Sequence, residues 1–330
     1  MSIASSGVKT DAAPHTEPVS GTSRFTVLGL PGSDFATLLV TMLIWSSLHP
    51  IGKRTLEEIT GPQLPFTRVA LAAIFLIAVC AVTGRLGRFL ALFRPREVWK
   101  VVILGTTGFS LSSGLSMMAL GYLPAGLNSV LANASPLMVA LGMMVVLRER
   151  LPHRTVIGLL VGFCGVAVIA LRGGIDAGSL NPLGVTMSLV SSATWALYTV
   201  IARRLTAGHD AIAMSAATSA IGALPLAVVV AVEGEIGRLV GASTTTLLLL
   251  LWCGVVATGA TFTMWVVMLR RVHAARVASF QYLIPLSALA LAYPIAGEVP
   301  TVTALLGAAM IVSGVAVANS AVAGRGARRG

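Results

Sequence analysis

From about Phe35 onward the chain is a succession of apolar runs, each close to twenty residues long, separated by short polar stretches. An α-helix rises about 1.5 Å per residue, so about 20 apolar residues cross the ~30 Å hydrocarbon layer of a bilayer. The runs predict ten spanning helices. They lie at Phe35–Lys53, Leu64–Thr83, Val98–Leu120, Ala125–Leu147, Thr155–Leu171, Pro182–Ala202, Ala211–Val232, Thr245–Leu269, Arg276–Gly297 and Thr301–Val322. Glycines and prolines inside several runs suit lipid-embedded helices. The expected fold is an all-α integral membrane protein. Residues 1–33 are rich in Ser, Thr, Gly, Pro and Ala and carry too little apolar character to order themselves. No A-x-A-like cleavage site follows the first run, which is expected to be retained as a helix.

Composition narrows the class. Hydrophobic residues make up 56% of the chain and charged residues 11%, whereas about a quarter of a soluble domain is charged. A soluble enzyme, a fibre and a disulfide-stapled secreted module are excluded. The net charge of +11 resembles a nucleic-acid signature until its carriers are placed on the chain. With the amino terminus in the cytoplasm, 18 of the 23 basic residues fall in cytoplasmic loops and tails. Only Lys53, Arg54, Arg172 and Arg238 fall on the other side, and Arg68 lies within a span. The positive-inside rule then places both termini in the cytoplasm. No soluble face gathers the basic residues, so no nucleic-acid partner is expected. Arginine outnumbers lysine 20 to 3 amid abundant Ala, Gly and Val, the composition of a GC-rich bacterial genome. The expected location is therefore a bacterial inner membrane.

Shifted by 149 residues, the sequence matches itself without a gap from Leu120 onward. Pro136-Leu137 meets Pro285-Leu286, Glu149 meets Glu298, and Gly158 meets Gly307. Gly165-Val-Ala-Val168 meets Gly314-Val-Ala-Val317. Earlier, Trp45 and Lys53-Arg54 echo Trp195 and Arg203-Arg204 at a shift of 150. Five helices per unit is an odd number, so the second unit enters the membrane from the opposite side. The expected organisation is a tail (1–33), a first repeat (34–172), a linker (173–181), a second, inverted repeat (182–322) and a basic tail (323–330). Inverted repeats mark secondary transporters, whose substrate site lies near the midplane between the halves.

The run Gly121-Tyr-Leu-Pro-Ala-Gly-Leu-Asn-Ser-Val130, then Ser135-Pro136 and Leu147-Arg-Glu-Arg-Leu151, resembles the fourth-helix signature of EamA-type transporters of the drug/metabolite transporter superfamily. Trp45-Ser46, Arg68 and Trp195-Ala-Leu-Tyr198 also resemble that family's pattern, and the likeness spans about residues 35 to 320. His49-Pro50 departs from it. The resemblance implies an inner-membrane exporter of small metabolites or drugs working by alternating access. An exchanger of sugar phosphates or nucleotide-linked sugars shares the superfamily, but would call for more cavity cations than Arg68. An intramembrane enzyme lacks the acid–base pair it would need.

Candidate chemistry inside the membrane is sparse. None of the 12 acidic residues sits mid-span, and a charge deep in lipid costs several kcal/mol. A carboxylate relay is therefore not expected. His49, one turn beyond Trp45 and followed by Pro50, is the one histidine within a span, and is either the candidate for proton coupling or a histidine bonded to a helix carbonyl that stabilises the kink. Arg68 would attract an anionic group if it faces a cavity. Asn128, Asn133, Gln281 and Tyr282 place polar groups at matched depth in the two halves. Trp45, Trp195, Tyr198 and Trp265 are further candidates for stacking on a ring or a cation. Pro50, Pro136 and Pro285 are hinge candidates, and Gly158 and Gly162 form a close-packing step. Cys80, Cys164 and Cys253 show no zinc spacing and no pairing pattern. No metal, cofactor or hydrolytic motif is expected. The expected partners are a small-molecule substrate and membrane lipid, with assembly as a homodimer left open.

Overall fold

A computed structural model describes residues 26–28, 30–119, 122–123, 125–171, 181–287 and 301–320. Lipid offers no hydrogen-bond partner to the backbone, so each apolar run satisfies itself by coiling. Among the described residues, six helices are long and apolar enough to cross a membrane, with three shorter apolar ones beside them. In chain order, α1 is Gly32–Ser46, α2 Gln63–Val82, α3 Val98–Ala119, α4 Val130–Val145 and α5 His153–Ala170. In the second half, α6 is Pro182–Leu205, α7 Ala211–Glu233, α8 Thr244–Arg271, α9 Ala274–Ser279 and α10 Val302–Ser320. The chain forms an all-helical, multi-pass membrane protein.

Local sequence explains several ends. Asn181, Asp210 and Ser243 cap α6, α7 and α8 by accepting from backbone N–H groups in the first turn. Gly234 takes a left-handed φ of 76° just past α7, where a side chain would be strained.

Packing inverts the soluble pattern. Ile74, Leu141, Leu224, Val228, Leu248 and Leu306 point outward, each more than half exposed. Between helices lie small residues: Ala72 and Ala73 of α2, and Ser215, Ala216, Ala217, Thr218 and Ser219 of α7. Small side chains let backbones approach closely where no hydrophobic drive separates helix from lipid. The hydroxyls of Thr218 and Ser219 are satisfied within the helix, Thr218 Oγ1 donating to the Met214 carbonyl at 2.8 Å and Ser219 Oγ to the Ser215 carbonyl at 2.7 Å.

The repeat is visible in contacts as well as in sequence. A Cβ on Gly158 would stand 2.5 Å from the Gly314 carbonyl oxygen, and one on Gly165 would stand 2.7 Å from that of Gly307. Those two contacts exchange under the 149-residue shift. They also run in opposite order along α5 and α10, so the equivalent helices are antiparallel. Gly105 meets Thr218 and Ile221, while Gly254, its equivalent, meets Arg68 and Leu71, which are theirs. Each of α3 and α8 widens into a π-helical stretch, at Thr106–Leu111 and Trp252–Ala260. Applying the shift to the first stretch lands inside the second. Such insertions loosen the backbone ladder and concentrate at functional sites.

Several sequence expectations are refined. The first span stops at Ser46, and a separate short helix, Leu48–Thr55, follows. The fourth is interrupted by a turn at Asn133 and Ala134, between helices Ala125–Ala132 and Ser135–Val145. Residues 26–31, assigned to the tail, pair as a small hairpin, Thr26–Val27 with Leu30–Pro31. Its local sequence gives no strand periodicity; it is held by tertiary contacts, with Leu30 buried and Arg276 Nη2 donating to the Leu28 carbonyl at 2.9 Å. Most of the amino-terminal tail, the linker, the carboxy-terminal tail, Glu298 and the second half of the ninth span lie outside the described residues.

Candidate functional site

Trp45 of α1 and Trp195 of α6 are equivalent under the repeat, and their rings meet edge to face at 5.6 Å. A residue pair related by a pseudo-twofold can touch only near its axis, so this contact lies close to that axis. Trp45 Nε1 donates to Thr261 Oγ1 at 2.8 Å, fixing that indole. Trp195 stacks on Tyr198 at 5.3 Å.

Beside the pair lies a cavity of about 170 Å³. Its wall is built from Arg68 of α2, Gly108, Ser112, Ser113 and Ser116 of α3, Asn133 and Ser135 of α4, and Ser191 and Ser192 of α6, with Gln281 and Ile284 beyond α9. Most of these positions sit in the half of their helix nearer the face carrying residues 55–62. Arg68 is nine-tenths buried, and its Nη2 donates to Ser113 Oγ at 2.7 Å. Across the cavity Ser135 Oγ donates to Gln281 Oε1 at 2.9 Å. Ser191 donates to the Ser112 carbonyl and Ser192 to the Leu131 carbonyl, each at 2.7 Å, which locks α6 against α3 and α4.

The mirror-image position, toward the opposite face, is full. Under the repeat Ser112, Ser113 and Ser116 correspond to Thr261, Phe262 and Trp265. Likewise Leu48 corresponds to Tyr198 and Asn133 to Tyr282. Trp265, Tyr198 and Tyr282 are buried there, whereas Phe262, stacked on Phe109 at 4.3 Å, also lines the cavity itself. One helix lines its pocket with serines; its counterpart fills the equivalent space with rings.

Of the residues singled out in the sequence, the cavity brings together Trp45, Arg68, Asn133, Trp195 and Gln281. Tyr198, Trp265 and Tyr282 stand outside its lining, in the filled mirror position. Matched depth along the helices does not distinguish a pocket from its packed mirror image. Asn128 is buried behind the wall, with Nδ2 reaching the Ser116 carbonyl at 3.5 Å. The side chains of His49 and Pro50 lie outside the described ones. Pro136 is buried at the start of the second α4 segment, Pro285 is half-buried, and Gly162 packs against the Tyr282 ring. Ser112, Ser116, Ser191 and Ser192 were missed. Their signal was available as serines at helical spacing (112, 113 and 116; 188, 191 and 192, with Trp195) on one face of α3 and of α6.

At the face opposite the cavity, polar ties join the two halves. Arg271 pairs with Asp34 at 3.1 Å, and His273 meets Glu149 at 3.0 Å. Burial holds the His273 imidazole below its ordinary value, against the opposing pull of Glu149. Arg85 and Arg88 pair with Asp210, while Glu97 contacts Lys100 and His209. Hydrogen bonding to Lys100 and His209 lowers the Glu97 carboxylate.

The sequence profile of the EamA-like transporter family matches residues 35–171 and again residues 182–320. The uncharacterized transporter YvbV of Bacillus subtilis is 29% identical over 297 residues, covering 88% of this chain and 93% of that one. A protein of Streptantibioticus cattleyicolor named probable terminal-alkyne amino-acid exporter is 28% identical, covering 87% of this chain and 94% of its own. A crystal structure of a protein 20% identical superposes with a TM-score of 0.72, covering 89% of this chain and 99% of that chain, which shows the shared fold.

Proposed function

Since the chain belongs to the EamA-like transporter family, we propose that it is a secondary active carrier that exports small amphipathic metabolites by alternating access across a bacterial cytoplasmic membrane. The observation carrying this is the cavity beside the pseudo-twofold axis, displaced toward one face, while among the described residues the equivalent position is occupied by the buried rings of Tyr198, Trp265 and Tyr282. Exchanging the roles of the two halves would close the first pocket and open the second, which is how an inverted repeat carries a solute across. The basic loops favour a cytoplasmic location for both termini and put the cavity toward the outside. The two repeats, residues 34–172 and 182–322, act as the units that exchange. The named activity of the Streptantibioticus relative agrees with a solute of amino-acid size.

The test compares the growth medium of cells expressing the protein, cells expressing Trp195→Ala and cells with neither. At least one small metabolite accumulates outside only in the first culture, with the variant present in the membrane at equal level. Identical medium profiles across all three cultures would remove the transport reading.

A further inference from the structure

Arg68 is a cation placed where lipid surrounds the protein, and among the described residues nothing of opposite charge pairs with it. The guanidinium offers five N–H donors. One of its nitrogens donates to Ser113 Oγ at 2.7 Å, and its Nε is buried without any acceptor. Among the described residues no carboxylate lies within ion-pair distance of it. The other buried arginine among the described residues is better served: Arg276 donates to Asn319 Oδ1 at 3.0 Å and to the Leu28 carbonyl at 2.9 Å. Holding a charged group in hydrocarbon without compensation is costly, and such residues mark the path of a solute or ion. The repeat supplies the control. Its equivalent position holds Thr218, which closes an internal hydrogen bond to the Met214 carbonyl at 2.8 Å, so helix packing at this depth does not require a cation.

We propose that Arg68 and Ser113 form the anion subsite of the transported solute, and that the solute carries a single carboxylate with a short apolar body. This rests on the transport reading and names its substrate class. The planar fork of arginine matches two carboxylate oxygens. Ser113 Oγ, already accepting from Arg68, keeps its proton to donate to the same anion. A phosphate would bring a second negative charge and a third oxygen, and the cavity wall offers one cation only among the described residues. The volume of about 170 Å³ holds a body of a few carbons, bounded by the Trp45 and Trp195 rings.

Four probes of similar length separate the chemistry: hexanoate, norleucine, norleucinol and hexylamine. Binding is followed by tryptophan fluorescence and thermal midpoint on the full chain in lipid nanodiscs at neutral pH. Hexanoate and norleucine bind and raise the midpoint; norleucinol and hexylamine, which lack the carboxylate, do not. Arg68→Gln loses at least tenfold in affinity for both acids, and Arg68→Lys recovers part of it. Without probe, Arg68→Gln is as stable as the parent, because it removes an uncompensated buried charge. A merely structural arginine would lower stability on substitution and leave acid selectivity unmoved. Equal binding of hexylamine and hexanoate, full acid affinity in Arg68→Gln, or no acid binding at all overturns the proposal. If acids fail to bind while Trp195-sensitive export of an uncharged metabolite persists, the subsite is refuted and the carrier stands. Acid binding with unchanged medium profiles leaves the subsite and removes the carrier.

Discussion

Replacing Gly158 by alanine tests the tightest contact between the two halves. The new Cβ would stand 2.3 Å from Ala318 N, 2.5 Å from the Gly314 carbonyl oxygen and 2.8 Å from Ala318 Cα. All three are backbone atoms of α10, so no rotamer relieves the clash. Restoring ordinary contact at about 3.4 Å moves α5 and α10 apart by roughly 1 Å, and a gap of 0.5–1 Å forfeits about a quarter to a half of each dispersion contact. The loss spreads along the seam, because Gly165, Gly307 and Gly314 repeat the same close approach. Overpacking typically costs about 1–3 kcal/mol; a backbone clash belongs at the upper end, and alanine's helix preference returns under about 1 kcal/mol. The expected net destabilisation is about 2 kcal/mol, roughly thirtyfold in the folded-to-unfolded ratio. The assay is reversible unfolding in mixed micelles titrated with dodecyl sulfate. Gly61→Ala is the control, since nothing lies within 4 Å of its Cβ position. Gly307→Ala should cost less, because its nearest backbone obstacle, the Gly165 carbonyl oxygen, stands at 2.8 Å rather than 2.3 Å. If Gly158→Ala unfolds within about 0.5 kcal/mol of Gly61→Ala, α5 and α10 do not pack as described.

Ser116→Trp, which copies Trp265 into the open pocket, should abolish export while the folded protein remains in the membrane; undiminished export would show that the solute passes elsewhere. Asp210→Ala removes both the cap of α7 and the pairs with Arg85 and Arg88, costing about 1–2 kcal/mol. Asp210→Asn keeps the cap and costs under about 1 kcal/mol, so equal losses in the two variants on micelle unfolding would contradict the assignment. His273 has its folded value depressed by burial, so below about pH 6.5 the unfolded chain binds the proton first. Its contribution is complete above that pH, declines as pH falls toward the folded value, and is gone below it. Thermal midpoints between pH 8 and 5 should therefore drop less in His273→Gln than in the parent.

Much of the scaffold was legible because lipid imposes one rule on the whole chain. Twenty apolar residues must coil, and helices α2, α3, α6, α7, α8 and α10 follow from run length alone. The match of Gly158 with Gly307 and of Gly165 with Gly314 was legible too, and the structure puts those glycines against one another. Breaks inside spans were not, since the turn at Asn133 and Ala134 and the paired π-helical stretches depend on neighbours distant in sequence. The cavity was half legible. Trp45, Arg68, Asn133, Trp195 and Gln281 stood out as polar or aromatic within apolar runs. Serines 112, 116, 191 and 192 do not stand out among the small residues of their runs, and Tyr198, Trp265 and Tyr282 are expected from sequence as cavity candidates. Sequence offset gives depth, but whether a site is hollow depends on the bulk of what stands opposite.

On the proposed cycle, the unlike side chains at three repeat-equivalent positions, Ser112 and Thr261, Ser113 and Phe262, Ser116 and Trp265, give the two postures of the carrier unequal energies. That imbalance moves no solute uphill, for the final distribution answers only to the gradients on either side. It governs occupancy instead: every 1.4 kcal/mol between postures shifts their ratio about tenfold. Apparent affinity measured from one bank of the membrane must then exceed that from the other. On that cycle the rings of Tyr198, Trp265 and Tyr282 must leave their berth once per turnover, so trimming them should retune speed without touching the binding residues.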